Sequence, residues 1–139
     1  MNARYTLKEA QQLLKLLRVI AAEMLERRTE RRILARRRDQ LESSETPEGL
    51  RSELAALDAR IWEHDEALAS CKHELEDLGL TVLRHIPLTI HIPGVSLRSD
   101  PTPQNVVFCW QEGEDDVCFG HPIGEEEHQR RPIRIAKGA

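Results

Sequence analysis

Residues 47–78 read PEGLRSELAALDARIWEHDEALASCKHELEDL, and the spacing inside this stretch decides the fold. Leu50, Leu54, Leu57, Ile61, His64, Leu68, Cys71, Leu75 and Leu78 succeed one another at alternating intervals of four and three residues. That is the a/d repeat of a helix buried along one narrow seam, and such a seam needs a partner helix. Thr46 supplies an N-cap, Pro47 a first-turn proline and Gly79 a left-handed stop, so a helix is expected over 47–78.

The partner precedes it. Thr6 followed three residues later by Glu9 is a capping box, which starts a helix near Leu7 that runs to about Leu41. Leu7, Ala10, Leu14, Leu17, Ala21 and Met24 repeat the three-four spacing, while Leu13, Leu16, Ile20 and Leu25 add a second apolar stripe. The first half of this helix must therefore bury more than one face. The second helix can cover one of them; the other is expected to meet the C-terminal module or a second copy of the chain. Leu13, Leu16 and Ile20 are thus the candidate self-association surface, with a homo-oligomer, a dimer, as the expected state. A polar connection of about five residues sets the helices antiparallel, each roughly 45 to 55 Å long, with Leu34 near Leu57 and Leu17 near Leu75.

After Gly79 the period changes to two. Ile86, Leu88, Ile90 and Ile92 alternate with Pro87, Thr89, His91 and Pro93, which predicts a half-buried strand, placed at a sheet edge by its prolines. Residues 94–105 read as a loop. Val106 to Gln111 and Asp116 to Gly120 are expected to form a hairpin around Gly113 and Glu114. In that register Trp110 faces Val117, Phe108 faces Phe119 and Cys109 faces Cys118, and the apolar members form a lid for the surplus stripe. The fold class is α+β: a long antiparallel, coiled-coil-like helical hairpin over about 6–78, a small C-terminal antiparallel β module over about 80–133, and a loose tail at 134–139.

The bulk composition narrows the function classes. A chain of 139 residues is one domain by length, and 40% hydrophobic with only 4% aromatic residues furnishes a seam and a cap rather than a deep core around a large pocket. This argues against a conventional enzyme. With 32% charged residues, a net charge of −4 and no long apolar run, no membrane span is expected. Residues Met1 to Lys8 lack the pattern of a secretory signal, and three cysteines without a CxxC pair fit reduced thiols, so a cytoplasmic location is expected.

Tyr5-Thr6-Leu7-Lys8-Glu9-Ala10, Gly79, Ile92-Pro93, Cys109-Trp110, Gly113-Glu114, His121 and Arg130 with Pro132 together resemble the DUF2203 family of uncharacterised prokaryotic proteins. The resemblance spans nearly the whole chain and implies a helical hairpin with a small β module; no established activity comes with it. Departures from the family pattern stand at His91 in place of an aspartate, Gly120 in place of a tryptophan, and Leu83-Arg84 in place of a lysine-aspartate pair.

Two further chemistries compete with association. His91 and His121 could ligate a divalent metal, with Trp110 and Arg130 lining a ligand or anion site where the sheet meets the first helix, conceivably the site of an enzyme. Glu114 is set apart from that group, because seven residues of strand place it about 20 Å from His121. The other chemistry is electrostatic. Arg27, Arg28, Arg31, Arg32, Arg36, Arg37 and Arg38, against Glu30 alone, form a basic stretch suited to RNA or another polyanion. Pairing of some of them with Asp58, Asp65 and their acidic neighbours on the second helix is the favoured reading. The lack of stacking aromatics and the negative net charge weigh against a nucleic-acid partner. His64 and Cys71 are read as packed seam positions, Cys109 and Cys118 as thiols with a cross-strand disulfide as the alternative.

Overall fold

The computed structural model describes residues 4–43, 49–96, 104–117, 119–122 and 131–132. Two helices, α1 (Leu7–Ser43) and α2 (Gly49–Asp77), precede five strands: β1 (Thr81–His85), β2 (Leu88–Ser96), β3 (Gln104–Gln111), β4 (Phe119–Pro122) and β5 (Arg131–Pro132). The class is α+β, two long helices packed together plus an antiparallel sheet. The chain divides into two compact units, Met1–Val19 with Glu74–Ala139, and Ile20–His73.

The helical unit follows the seam read from the sequence. Leu57, His64 and Cys71 are buried, Leu50, Leu54, Ile61 and Leu68 are half-buried, and their polar neighbours are exposed. From α1 the unit buries Ile20, Ala21, Met24 and Leu34. Arg31 Nε lies 2.5 Å from Asp65 Oδ1, and Arg38 binds Asp58 through both Nε and Nη2. One heptad separates the two bridges on each helix, which fixes the antiparallel register.

The sheet unit is closed by its helix ends. At the start of α1, Thr6 N–H donates to Glu9 Oε1 at 3.0 Å and Glu9 N–H to Thr6 Oγ1 at 3.1 Å, the expected capping box. These bonds, chiefly the one from the Thr6 backbone, favour the ionised carboxylate and hold Glu9 below its ordinary pKa of 4.5. At the end of α2, Gly79 has φ 82°. Leu80 N–H reaches Leu75 O at 2.9 Å and Gly79 N–H reaches Glu76 O at 2.8 Å, a Schellman motif with both of its leucines, Leu75 and Leu80, buried. The Tyr5 hydroxyl donates to Leu78 O at 2.7 Å, so a further terminal carbonyl is satisfied.

The strands run antiparallel in the order β1-β2-β3-β4-β5. Leu88, Ile90 and Ile92 are buried as their alternation predicts, opposite Trp110 and Phe108 of β3 at the register pairs Ile90↔Trp110 and Ile92↔Phe108.

Four sequence expectations are corrected here. The stretch around Ile86 is two strands, and Ile86 is exposed at the turn between them; β1 escapes pattern reading because nearly all of it is exposed and a register irregularity between Val82 and Arg84 breaks its period. β2 is an inner strand, paired with both β1 and β3. Its Pro93 is tolerated because β1 ends opposite His91, and Pro93 O instead accepts from Tyr5 N–H at 2.9 Å. The missing N–H of Pro93 faces that same side, off the ladder with β3. β2 also runs on to Ser96 and β3 starts at Gln104, so Gly94 belongs to a strand. A Cβ built there would meet Phe108 Cε2 at 2.5 Å; the ring occupies the space a side chain would take.

The β3–β4 register is shifted by one residue from the expected hairpin: Phe108 pairs with Gly120 and Cys109 with position 119. Trp110 Nε1 donates to Glu114 O at 3.0 Å and Glu114 Oε1 accepts from Gln111 N–H at 2.6 Å, so the turn is built inside 111–114 while Val117 is buried outside any strand. Position 119 thereby falls on the face opposite Phe108 and drops out of the expected apolar lid. Cys118, the Thr46-Pro47 start, Arg130 and the tail 134–139 lie outside the described residues; Cys71 and Cys109 are buried.

Candidate functional site

Register decides which of the sheet residues can meet. His91 pairs with Cys109, and position 121 pairs with Val107, which pairs in turn with Pro93. His91 and position 121 therefore share one sheet face, but a whole strand separates them. With strands about 4.8 Å apart and a rise of about 3.4 Å per residue, their backbones are roughly 12 Å apart. Trp110 is opposite Ile90, on the other face, and its indole N–H is held by Glu114 O. Strand alternation sends 109 and 110 to opposite sides, so Trp110 stands on the sheet face opposite the one shared by His91 and position 121. Among the described residues no three His, Cys, Asp or Glu side chains come together to hold a metal ion. The acidic turn serves the backbone: Glu112 Oε1 accepts from Leu88 N–H at 2.6 Å and Asp116 Oδ1 from Val117 N–H at 2.8 Å. Arg18 of α1 approaches the turn at Asp115, 4.0 Å away.

In the helical unit, His64 is buried between two groups of α1. Arg27 Nη1 lies 3.3 Å from His64 Nδ1, and Glu30 Oε2 lies 3.4 Å from Nε2. A guanidinium can only donate, so Nδ1 accepts and Nε2 carries the hydrogen toward the carboxylate. The imidazole is a satisfied polar seam residue, a device known to fix helix register.

The arginine stretch is sorted by direction. Arg31 and Arg38 reach Asp65 and Asp58 across the seam, Arg38 also reaches Glu42 at 2.8 Å, and Arg27 lies 3.9 Å from Glu23. The Asp65 and Asp58 contacts are the cross-helix pairings expected for part of the stretch, and the Glu42 and Glu23 contacts lie within α1. Arg32, Arg36 and Arg37 are exposed, and with Ile33 and Gln40 they line a shallow depression of about 440 Å³ on α1.

The proposed self-association stripe divides as well. Leu13 is half-buried and Leu16 is 48% exposed, but Ile20 is only 5% exposed and is occupied inside its own chain. Ile20 is withdrawn from the stripe for that reason: its direction from the α1 axis is close to that of the buried Leu17 and Met24. Val19, 68% exposed and one turn from Leu16, was missed because it follows neither heptad position.

The family model described as an uncharacterized conserved protein, DUF2203, matches residues 4–133. The chain belongs to the DUF2203 family. No curated protein and no solved structure matches it. Within this member of DUF2203 the residues that carried the resemblance are largely architectural: Thr6 and Glu9 cap α1, Tyr5 joins β2 to the end of α2, Gly79 ends α2, and Trp110 with Glu114 forms the turn after β3. Arg84 pairs with Thr89 and so shares the sheet face of His91. No described helix is long and apolar enough to cross a membrane.

Proposed function

We propose that this chain is a non-enzymatic cytoplasmic protein that acts by association, first with a second copy of itself through the side of α1 that carries Leu16 and Val19. The observation that carries this reading is the pairing of two large apolar side chains, 48% and 68% exposed, one helical turn apart. Leu13 continues the same side toward the buried stripe, so the open patch borders a packed core rather than standing alone on a polar surface. Burying such a side chain contributes about 1.5 to 3 kcal/mol, and a two-fold axis doubles every contact.

Sedimentation equilibrium of the untagged protein tests it. The expected result is a dimer that Leu16→Glu with Val19→Glu converts to a folded monomer. A wild-type monomer at 100-fold the working concentration, or a dimer indifferent to both substitutions, overturns the proposal. Leu16 and Val19 replace any test at Ile20, where a charge would be buried and would unfold the chain.

A further inference from the structure

Three exposed arginines of the stretch define a second surface, entirely within the helical unit. Among the described residues Arg32, Arg36 and Arg37 carry no ion pair, whereas Arg31 and Arg38 of the same segment are satisfied by α2. Arg32, Arg36 and Gln40 form one row at intervals of four, Ile33 and Arg37 the next row. Ile33, 62% exposed, therefore lies one turn before Arg36 and Arg37 on the same side of α1, with Arg32 next to it in the chain. We propose that this face binds an acidic amphipathic helical segment of a partner protein, its apolar side chain seated on Ile33 and its carboxylates on Arg32, Arg36 and Arg37.

Charge selects the sign of the partner, and the guanidinium fork suits carboxylates bidentately. The exposed apolar side chain of Ile33 among these arginines selects a peptide over a phosphodiester chain. A bare phosphate backbone gains nothing from Ile33, and the residues lining the depression include no aromatic ring on which a base could stack. The net charge of −4 opposes a long polyanion running across the whole surface. A short acidic segment meets only the local field, since charges beyond a Debye length of about 8 to 10 Å are screened. At about 440 Å³ the depression has room for a few side chains. The proposal rests on the reading that the chain works by association, but it uses a different surface from Leu16 and Val19.

The test is a titration of the isotope-labelled full chain with a synthetic 18-residue helical peptide of leucine and glutamate, in parallel with its leucine-glutamine analogue and with an 18-nucleotide single-stranded RNA. Sedimentation of the same samples reads self-association separately, so failure of either idea is seen on its own. Expected are shifts at the Arg32, Arg36 and Arg37 Nε–H groups and the Ile33 methyls, with Arg31 and Arg38 unmoved. Joint Arg32→Gln, Arg36→Gln and Arg37→Gln substitution weakens binding at least tenfold, and Ile33→Ser weakens it several-fold; both sites are exposed, so folding is unaffected. Absence of shifts at these residues overturns the proposal. Equal binding of the glutamine peptide, or tighter binding of the RNA through the same arginines, overturns it too.

Discussion

The sheet unit and the helical unit close themselves in different ways. In the sheet unit Leu17, Leu75, Ile90 and Ile92 are sealed off completely, and backbone groups at both helix ends are satisfied by Thr6, Glu9, Tyr5 and Leu80. In the helical unit the deepest leucines, Leu34 and Leu57, stay slightly open, a histidine occupies a seam position, and the cross-helix links are ion pairs whose members are all partly exposed. Completely sealed apolar side chains contribute more than a stripe that stays slightly open, and exposed ion pairs add little. Stability should therefore concentrate in the sheet unit, and the helical unit should open first.

Truncation of the core breaks this contrast most strongly. Ile92→Ala in the sealed face should cost about 2 to 5 kcal/mol, and Leu57→Ala in the seam should fall near or below the lower end of that range, both read by urea denaturation. Equal costs would show that the two units are equally well packed. Gly94→Ala comes next. Its Cβ would press on Phe108, so a loss of roughly 1 to 3 kcal/mol is expected, largely recovered when Phe108→Leu is added.

Smaller effects sharpen the contrast at the helix ends and at the ion pairs. Thr6→Ala should cost about 1 kcal/mol by removing the cap of α1. The carboxylate half of that capping box has a sign that can be checked. Because the folded pKa of Glu9 lies below 4.5, its contribution is present above that pH and disappears as the pH falls through the folded value. Glu9→Gln should flatten this part of the stability profile, slightly lowering stability at neutral pH and leaving the acid end nearly unchanged. The smallest effect belongs to the seam bridges. A double-mutant cycle on Arg38 and Asp58 should give a coupling of about 0.2 to 1 kcal/mol that fades toward 1 M salt. A larger, salt-resistant coupling would mean that the helical unit depends on its ion pairs after all.

Local rules carried much of this fold and little of its surface. The seam from Leu50 to Leu78, the capping box at Thr6 and the stop at Gly79 were legible because each rests on contacts within a few residues or on a fixed helical period. The one-residue shift of the β3–β4 register was not, since it depends on Trp110 closing onto Glu114 O rather than on the strand pattern. The inner position of β2 is not legible for a similar reason: the end of β1 opposite His91 and the contact from Tyr5, far away in sequence, together accommodate Pro93.

The candidate surfaces show the same division. Composition alone placed seven arginines on one stretch of α1, and periodicity alone placed a surplus of apolar residues before it. Tertiary structure then assigned Arg31 and Arg38 to carboxylates on α2, buried Ile20, and left Leu16, Val19, Ile33, Arg32, Arg36 and Arg37 facing solvent. The physical reason is that sequence fixes which side chains share a helical face or a strand face, whereas only the packed chain decides which of those faces is already covered.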